Sequence, residues 1–285
     1  MTEWSETWTW MDGTWHEGNV PFLGVRTHAG WLGSSVFDGA RVFEGTAPDL
    51  DLHCERVNRS AKSMNLDPSI PVGQMLELVK EGREKFTSRE GLYVRPMYWA
   101  EEGGFMGVPP LAESTRFCMC LYVVPMPEPV GFSAVTSRIR RPAPDQAPVY
   151  AKAGCLYPMG GQAMLDARSQ GYDNAVILDP IGNVAEFATA NLWYAKDGVA
   201  FTPVPNGTFL NGITRQRVAK LLSDAGTKVV EKTVTIDEVR EADEVFSTGN
   251  FSKVMPITRL DDREFQPGPI GNKARELYWE YAHSA

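Results

Sequence analysis

One lysine stands in a setting unlike that of the others. Lys152 lies in the sequence PVYAKAGC, with no acidic residue in the next four positions and only Asp145 upstream. An ammonium held there without a partner is desolvated, which lowers its pKa and leaves an amine suited to Schiff-base chemistry. The plainer interpretation is a lysine at a strand end whose amine reaches water. The other nine lysines lie among polar residues or at element ends, as solvated lysines usually do.

A carboxylate in an apolar setting is the second candidate. Glu186 lies in the sequence NVAEFATANLW, with no cation nearby in sequence, so its charge must find a partner elsewhere in the fold. Pyridoxal 5′-phosphate (PLP) requires a lysine that tethers its aldehyde and a carboxylate that keeps its pyridine nitrogen protonated. Taken alone, however, Glu186 fits a structural salt bridge.

The sequence LNGITRQRV, residues 210–218, offers a place for an anion. Its glycine precedes a threonine at the predicted start of a helix, where free backbone N–H groups and the positive helix end attract a phosphate. Every helix has such a start, so this feature alone does not specify a ligand.

Composition limits the class of partner. The chain has 285 residues, of which 43% are hydrophobic and 22% charged, so it is globular rather than disordered, collagen-like or a disulfide scaffold. The net charge of -8 argues against nucleic acid and anionic membranes as partners. Because no segment resembles a signal peptide or a membrane span, we expect a cytoplasmic protein. The four cysteines lack zinc spacing, so we expect free thiols and no metal, with Cys118 and Cys120 as packing residues.

Hydrophobic periodicity predicts the elements that position these residues. In the first half, it predicts an α+β arrangement, with helices at 53–65 and 72–86 and strands in the Trp-rich start and at 35–37, 92–95 and 117–124. The sequence VPMPEPVGF, with three prolines in nine residues, predicts an interdomain linker at 124–132. A small N-terminal domain (1–123) and a larger C-terminal domain (133–285) then follow. In the second domain strands and helices alternate, with helices at 158–170, 214–226 and 270–283 and strands at 134–140, 174–179, 191–195, 199–202, 228–234 and 244–247.

Taken together, the motifs resemble the fold-type IV (class IV) PLP-dependent aminotransferases, and most closely the branched-chain amino acid aminotransferases. The resemblance extends from about residue 10 to 280 and rests on the order and spacing of eight stretches: HAGWLGSSVFDGAR (28–41), HCERVNRSAKSM (53–64), LYVRP (92–96), MGVPP (106–110), YAKAGCLY (150–157), AEFATANLW (185–193), LNGITR (210–215) and DEVFSTGN (243–250). It implies a two-domain α+β fold, a β-barrel-like core in the larger domain, and a cofactor cleft between two lobes.

The resemblance also implies the roles of the cofactor-binding residues. Lys152 is then the Schiff-base lysine and proton shuttle, Glu186 the partner of the pyridine nitrogen, and Tyr157 the hydrogen-bond donor to the phenolic oxygen. The phosphate is bound by an arginine, two backbone amides and a turn, which correspond to Arg56, Ile213, Thr214, Thr248 and Asn250. Alone, Arg56 would be interpreted as part of a solvated helix face.

The substrate side follows from one strand and from the resemblance. Tyr93 and Arg95 are two residues apart, so on a strand they face the same way and together can meet a carboxylate. The resemblance implies that Tyr93 helps bind the α-carboxylate of the substrate and that Arg95 binds the distal carboxylate of glutamate. It places Phe37 in the wall of the side-chain pocket, and Asn250 and Phe251 beside the substrate.

Four positions depart from the family pattern. The usual tyrosine, FEG glutamate, glycine-rich turn and phosphate-turn threonine correspond to Leu32, Asp38, Phe187 and Asn250. Leu32 and Phe187 are expected to reshape the pocket, which keeps D-amino acid and (R)-amine transaminases of the same fold as alternatives.

The resemblance implies a ping-pong transamination between a branched-chain or other hydrophobic amino acid and 2-oxoglutarate. It also implies a homodimer or larger homo-oligomer whose sites are completed by a neighbouring subunit. The rival functions are an aminodeoxychorismate lyase-like elimination of pyruvate and a binding module that has lost catalysis.

Overall fold

The computed structural model describes residues 4–284. Its helices are α1 (His28–Leu32), α2 (Leu50–Ser63), α3 (Val72–Arg83), α4 (Tyr157–Ser169), α5 (Ile213–Asp224), α6 (Ile236–Arg240) and α7 (Pro269–Ser284). Its strands are β1 (Thr7–Met11), β2 (Thr14–Glu17), β3 (Ser35–Phe37), β4 (Ala40–Val42), β5 (Leu92–Ala100), β6 (Thr115–Val123), β7 (Phe132–Arg140), β8 (Asn174–Leu178), β9 (Val184–Phe187), β10 (Asn191–Lys196), β11 (Val199–Pro203), β12 (Val229–Lys232), β13 (Glu244–Gly249), β14 (Lys253–Leu260) and β15 (Arg263–Glu264).

The chain divides into two compact units. The first comprises residues through Met126 together with Ala151–Cys155, and the second comprises Pro127–Tyr150 together with the residues from Leu156 onward. The chain therefore first leaves the first unit inside the proline-rich segment 124–132. The segment Ala151–Cys155 groups with the first unit, although it lies within the predicted C-terminal domain. The predicted domain boundaries stay a prediction.

The first unit contains an antiparallel sheet and the helices α1, α2 and α3. Its strands lie in the order β2-β1-β6-β5-β3, and β4 also pairs with β5. Asp12 and Gly13, with φ of 52° and 81°, form the turn between β1 and β2, because a two-residue hairpin turn whose twist matches the strands requires positive φ. Helix α2 buries Cys54, Val57 and Ala61, spaced three and four residues apart as one helix face demands.

The second unit is a larger mixed sheet. Its strands lie in the order β12-β11-β10-β13-β14-β7-β8-β9, and β15 pairs with β14. Helix α4 connects the parallel pair β7 and β8, and α5 connects the parallel pair β11 and β12, because parallel neighbours need a crossover. Asn191 at the start of β10 lies opposite Thr248 near the end of β13, so both belong to the same edge of the sheet.

The predicted α+β class is confirmed, and the predicted helices lie within a few residues of the observed ones. Strands β4, β9, β14 and β15 and the short helices α1 and α6 were not predicted. Strand β9 has only four residues and includes a glutamate, and β14 contains a lysine, a proline and an arginine, so neither shows a clear period of two. Among residues 4–284, no helix is both long and apolar enough to cross a lipid bilayer.

Candidate active site

Lys152 lies on an extended segment that is fixed beside β3. The Phe37 N–H donates to the Lys152 carbonyl at 3.1 Å, and the Lys152 N–H donates to Ser60 Oγ at 3.1 Å. An isolated bridge between Val36 and Ala153 continues this pairing. The half-buried side chain places its Nζ 4.9 Å from the centroid of the Phe37 ring, where an ammonium is attracted by the ring face. The backbone thus holds this amine in a defined place.

Arg56 is anchored by the buried carboxylate of Asp38. Its Nε donates to Asp38 Oδ2 at 2.6 Å and its Nη2 to Oδ1 at 2.8 Å, while His53 Nδ1 lies 2.7 Å from Oδ1. His53 and Arg56 reach the same carboxylate because they are three residues apart on α2. Burial alone would raise the pKa of Asp38, but the charges and hydrogen bonds of Arg56 and His53 lower it well below its usual value.

Tyr93 and Arg95 lie on the same face of β5, and both contact Tyr122 of the neighbouring strand β6, which was not predicted from the sequence. The Arg95 Cζ lies 5.2 Å from the Tyr93 ring centroid and 5.1 Å from that of Tyr122, and Arg95 Nη2 donates to the Tyr122 hydroxyl. Burial raises the pKa of Tyr122 to about 12, against the charge of Arg95. Tyr122 lies directly opposite Tyr93 on β6. Only the register of β5 and β6 reveals this neighbour, because nothing in its own segment marks it.

Glu186 lies in β9 between a cation and an amide. Its Oε1 is 3.5 Å from Arg141 Nε, whose N–H donates to the Thr208 carbonyl at 2.9 Å, and its Oε2 accepts from Asn191 Nδ2 at 3.3 Å. The Glu186 side chain is 13% exposed and lines a cavity with Arg141 and Gly160. Arg141 and Asn191 were not predicted as site residues, although Asn191 follows Glu186 by five positions in the same motif.

The turn before α5 is held against the start of β10. Asn191 Nδ2 donates to the Leu210 carbonyl at 3.0 Å, and the Gly212 N–H donates to Asn191 Oδ1 at 3.2 Å. Ile213 and Thr214 are buried in the first turn of α5, where backbone N–H groups have no acceptor within the helix. Their amides therefore lie where the predicted anion site needs donors.

Arg215 fixes the same turn from the other side. Its guanidinium, 1% exposed, donates to Asn211 Oδ1 at 2.9 Å, to the Pro203 carbonyl at 2.7 Å and to Thr202 Oγ1 at 3.2 Å. It also pairs with Glu231 at 2.8 Å. Strand β11 and the turn into α5 are thereby tied together.

Thr248 and Asn250 lie at the end of β13, beside a buried lysine. Trp193 Nε1 donates to Thr248 Oγ1 at 3.0 Å, and Lys253 Nζ donates to Asn250 Oδ1 at 2.8 Å. Lys253 is fully buried, with a positive φ of 61° and its Nζ 5.6 Å from the Tyr278 ring centroid. The prediction that every lysine except Lys152 is solvated is wrong here, because the chain turn after β13 directs this side chain inward.

The remaining predicted residues differ in exposure. Tyr157, the first residue of α4, and Phe251 are exposed, as is Leu32. Phe187 is fully buried, with its ring centroid 5.4 Å from that of Phe132 in the core of the second unit. Phe187 also lines the cavity that contains Glu186, so the expectation that it reshapes the pocket stays a prediction.

The second unit carries groups whose chemistry suits a pyridoxal phosphate. Asn250 Nδ2 is a buried donor with no hydrogen-bond acceptor among residues 4–284, as a site for an oxyanion requires. The first turn of α5 adds backbone N–H groups, and Glu186 adds the carboxylate that a protonated pyridine nitrogen needs.

Known proteins are similar to this chain over nearly its whole length. The sequence model of the family described as amino-transferase class IV matches residues 35–260. The branched-chain-amino-acid aminotransferase of Pseudomonas aeruginosa is 32% identical over an alignment of 282 residues that covers 95% of this chain and 89% of that protein.

Two solved structures have the same fold. An aminotransferase from Brucella abortus bound to the co-factor PLP superimposes with a TM-score of 0.96 at 52% identity, covering 98% of this chain and 99% of that one. The T.th. branched-chain amino acid aminotransferase complexed with N-(5'-phosphopyridoxyl)-L-glutamate gives a TM-score of 0.90 at 29% identity, covering 99% of this chain and 96% of that one.

The fold and the matches define a fold-type IV enzyme. The chain belongs to the class IV aminotransferases. It is a PLP-dependent aminotransferase similar to the branched-chain amino acid enzymes, so the predicted family, fold type and cofactor are confirmed.

Proposed function

We propose that this enzyme transfers an amino group between a branched-chain or other hydrophobic amino acid and 2-oxoglutarate, in two successive half-reactions. The observation that carries the proposal is Lys152, whose backbone is fixed on both sides and whose amine lies over the Phe37 ring. The glutamate adduct bound by the T.th. enzyme supports glutamate and 2-oxoglutarate as one substrate pair.

The cofactor, when bound, supplies an aldehyde for the amino group and a ring that accepts electrons from the substrate carbon. We assign to Lys152 Nζ the tethering of the cofactor and the transfer of the proton from the substrate α-carbon. Glu186 holds a proton on the pyridine nitrogen, and Tyr157 donates a hydrogen bond to the phenolic oxygen. The phosphate ligands are the predicted set: Arg56, Ile213, Thr214, Thr248 and Asn250.

Arg95 and Tyr93 are assigned to substrate carboxylates. Arg95 Nε is buried and has no hydrogen-bond acceptor in the described part of the chain, while two aromatic rings restrict its guanidinium. A carboxylate satisfies such a fixed donor at little entropic cost. Phe37, Asn250 and Phe251 are assigned to the walls around the substrate side chain.

We also propose a homodimer and a cytoplasmic location. Four large apolar side chains are exposed in the first unit: Trp31, Phe105, Met106 and Val108. A Cβ built at Gly107 would lie 3.9 Å from Trp31 Cζ2, so the segment that carries Phe105, Met106 and Val108 passes beside Trp31. Such an apolar patch favours a second copy of the chain as its partner. The four cysteines are free thiols, as a reducing compartment favours. Phe105→Glu is expected to shift the sedimentation coefficient to that of a monomer.

A donor panel tests the proposed reaction. L-leucine, L-valine, L-glutamate, D-alanine and an (R)-arylamine are offered with 2-oxoglutarate or pyruvate. We expect L-leucine and L-valine to react with 2-oxoglutarate, and Lys152→Ala to lose activity at least about 1,000-fold. Lys80→Ala, which removes an exposed lysine of the same unit, is the matched control.

Other outcomes of the panel would contradict the proposal in different ways. Turnover confined to D-alanine or the arylamine would reverse the stereochemical assignment. Pyruvate release without an acceptor would indicate a lyase. A protein that stays colourless with added PLP would be a binding module, and full activity of Lys152→Ala would remove Lys152 from the mechanism.

A further inference from the structure

Asn191 connects two regions that no single motif joins. Its Nδ2 donates to Glu186 Oε2 at 3.3 Å and to the Leu210 carbonyl at 3.0 Å, and its Oδ1 accepts from the Gly212 N–H at 3.2 Å. Donors and acceptors match at both ends of the amide, so its orientation is fixed. At 6% exposure, the side chain is shielded from water, which would otherwise compete for these hydrogen bonds.

The turn before α5 approaches the Asn191 side chain most closely at Gly212. A Cβ at this position would lie 2.1 Å from Asn191 Oδ1, well inside contact distance. The φ of Gly212 is -64°, which any residue adopts, so glycine is needed for space rather than for backbone conformation. The turn before α5 is thus built around the Asn191 side chain.

We infer that Asn191 is a positioning residue that sets the carboxylate of Glu186 and the N-terminus of α5 relative to each other. The inference rests on the proposed function, in which Glu186 serves the pyridine nitrogen and the amides of Ile213 and Thr214 serve the phosphate. Asn191 itself contacts neither part of the cofactor in this assignment.

The physical reason is that the cofactor is a small molecule of nearly fixed dimensions. Its ring nitrogen and its phosphate are recognised together only if their two protein partners keep the right separation. A hydrogen-bonded amide between those partners establishes the separation before binding, so less ordering is needed when the cofactor binds. Loss of the amide therefore weakens recognition of the phosphate as well as of the ring.

The test uses the full chain stripped of cofactor and measures the dissociation constants of PLP and of pyridoxal, which lacks the phosphate. Asn191→Ala removes all three hydrogen bonds, whereas Asn191→Asp keeps the acceptor for Gly212 but loses the donor to Glu186. Asn174→Ala is the matched control, because Asn174 is 7% exposed and makes two hydrogen bonds in the same unit.

For Asn191→Ala, we expect PLP to bind about ten-fold more weakly and the preference for PLP over pyridoxal to fall about five-fold. Asn191→Asp is expected to weaken both ligands while keeping most of that preference. Asn174→Ala is expected to leave the preference unchanged. A variant that only loosened the fold would weaken both ligands in proportion.

A second comparison uses the contact with Gly212. Gly212→Ala is expected to weaken PLP binding in the natural sequence and to cost much less when Asn191 is already alanine, because the clash is then gone. If Asn191→Ala fails to fold, Asn191→Ser takes its place in both comparisons, because serine also lacks the amide and leaves room for a Cβ at residue 212.

An unchanged preference in Asn191→Ala, or equal costs of Gly212→Ala in both backgrounds, would overturn the inference. Failure of the natural protein to bind PLP would instead overturn the proposed function.

Discussion

Each of the two units pairs a site carboxylate with an arginine, but the contact distances of the two carboxylates differ. Asp38 in the first unit is fully buried and accepts hydrogen bonds of 2.6–2.8 Å from Arg56, His53 and the Gly39 N–H. Glu186 in the second unit lies 3.3 Å from Asn191 and 3.5 Å from Arg141, and it borders a cavity. An arginine and a carboxylate thus form a tight ion pair in the first unit and a looser one in the second.

The difference separates a carboxylate that holds another side chain in place from a carboxylate that is itself available to a ligand. Removing one partner of a buried, hydrogen-bonded ion pair is costly because the other charge stays buried. A carboxylate with longer contacts beside a cavity contributes less to folding and keeps surface for a ligand. We therefore expect changes at Asp38 to act on stability and changes at Glu186 to act on catalysis.

Asp38→Asn is expected to have the largest effect. It leaves the Arg56 charge buried without its carboxylate, which should destabilise the first unit by about 3–5 kcal/mol. The measurement is the melting temperature of the cofactor-free protein. Asp224→Asn, which breaks an exposed pair with Lys220, is the control and should change stability by less than about 1 kcal/mol. Equal melting temperatures for the two variants would remove the contrast between the units.

Glu186→Gln should reverse this pattern. The amide cannot hold a proton on the pyridine nitrogen, so kcat/KM should fall at least about 100-fold, equivalent to about 2.7 kcal/mol. Because the substitution is isosteric and the side chain borders a cavity, the melting temperature should change little. A variant that melts far below the parent yet turns over normally would contradict the comparison.

The pH dependence of stability sharpens the role of Asp38. Its pKa in the folded protein lies below the unfolded value of about 3.9, so its stabilisation is complete above that pH and is lost as the pH falls further. The gap in melting temperature between the parent and Asp38→Asn should therefore shrink between pH 6 and pH 3. A gap that widens in acid would show that another group stabilises Arg56.

Lys253→Met extends the comparison to a buried cation and has the smallest expected effect. Lys253 donates a hydrogen bond to Asn250 Oδ1, so the other end of the amide, the Nδ2 donor, points away from Lys253. Without that contact the amide can rotate, and the dissociation constant of PLP should rise about ten-fold. Lys220→Met, at an exposed position, is the control. Unchanged PLP affinity would place Lys253 outside the phosphate site.

Sequence reasoning found the residues that chemistry alone makes conspicuous. Lys152 and Glu186 stand out because a charge in an apolar sequence needs an explanation, and the order of the motifs then pointed to the family. Tyr122, Arg141 and Asn191 were missed because each is an ordinary residue in its own segment. Their contacts depend on strand register and on chain turns that bring distant positions together.

Lys253 is a residue for which the local sequence predicted the wrong environment. It follows the turn sequence TGNFS, which is typical of an exposed element end, yet its side chain is fully buried. A local pattern reports the neighbours along the chain, whereas burial depends on what packs across the sheet.

The sequence by itself determined the α+β class, the family and its cofactor, because the spacing of reactive residues and the periodicity of apolar ones are local properties. Only the tertiary structure decided that Asp38 anchors Arg56, that Asn191 joins Glu186 to the turn before α5, and that Gly212 leaves room for this contact. Hydrogen bonds form only at about 3 Å, and only folding brings residues that are 18 or 21 positions apart in the chain within that distance.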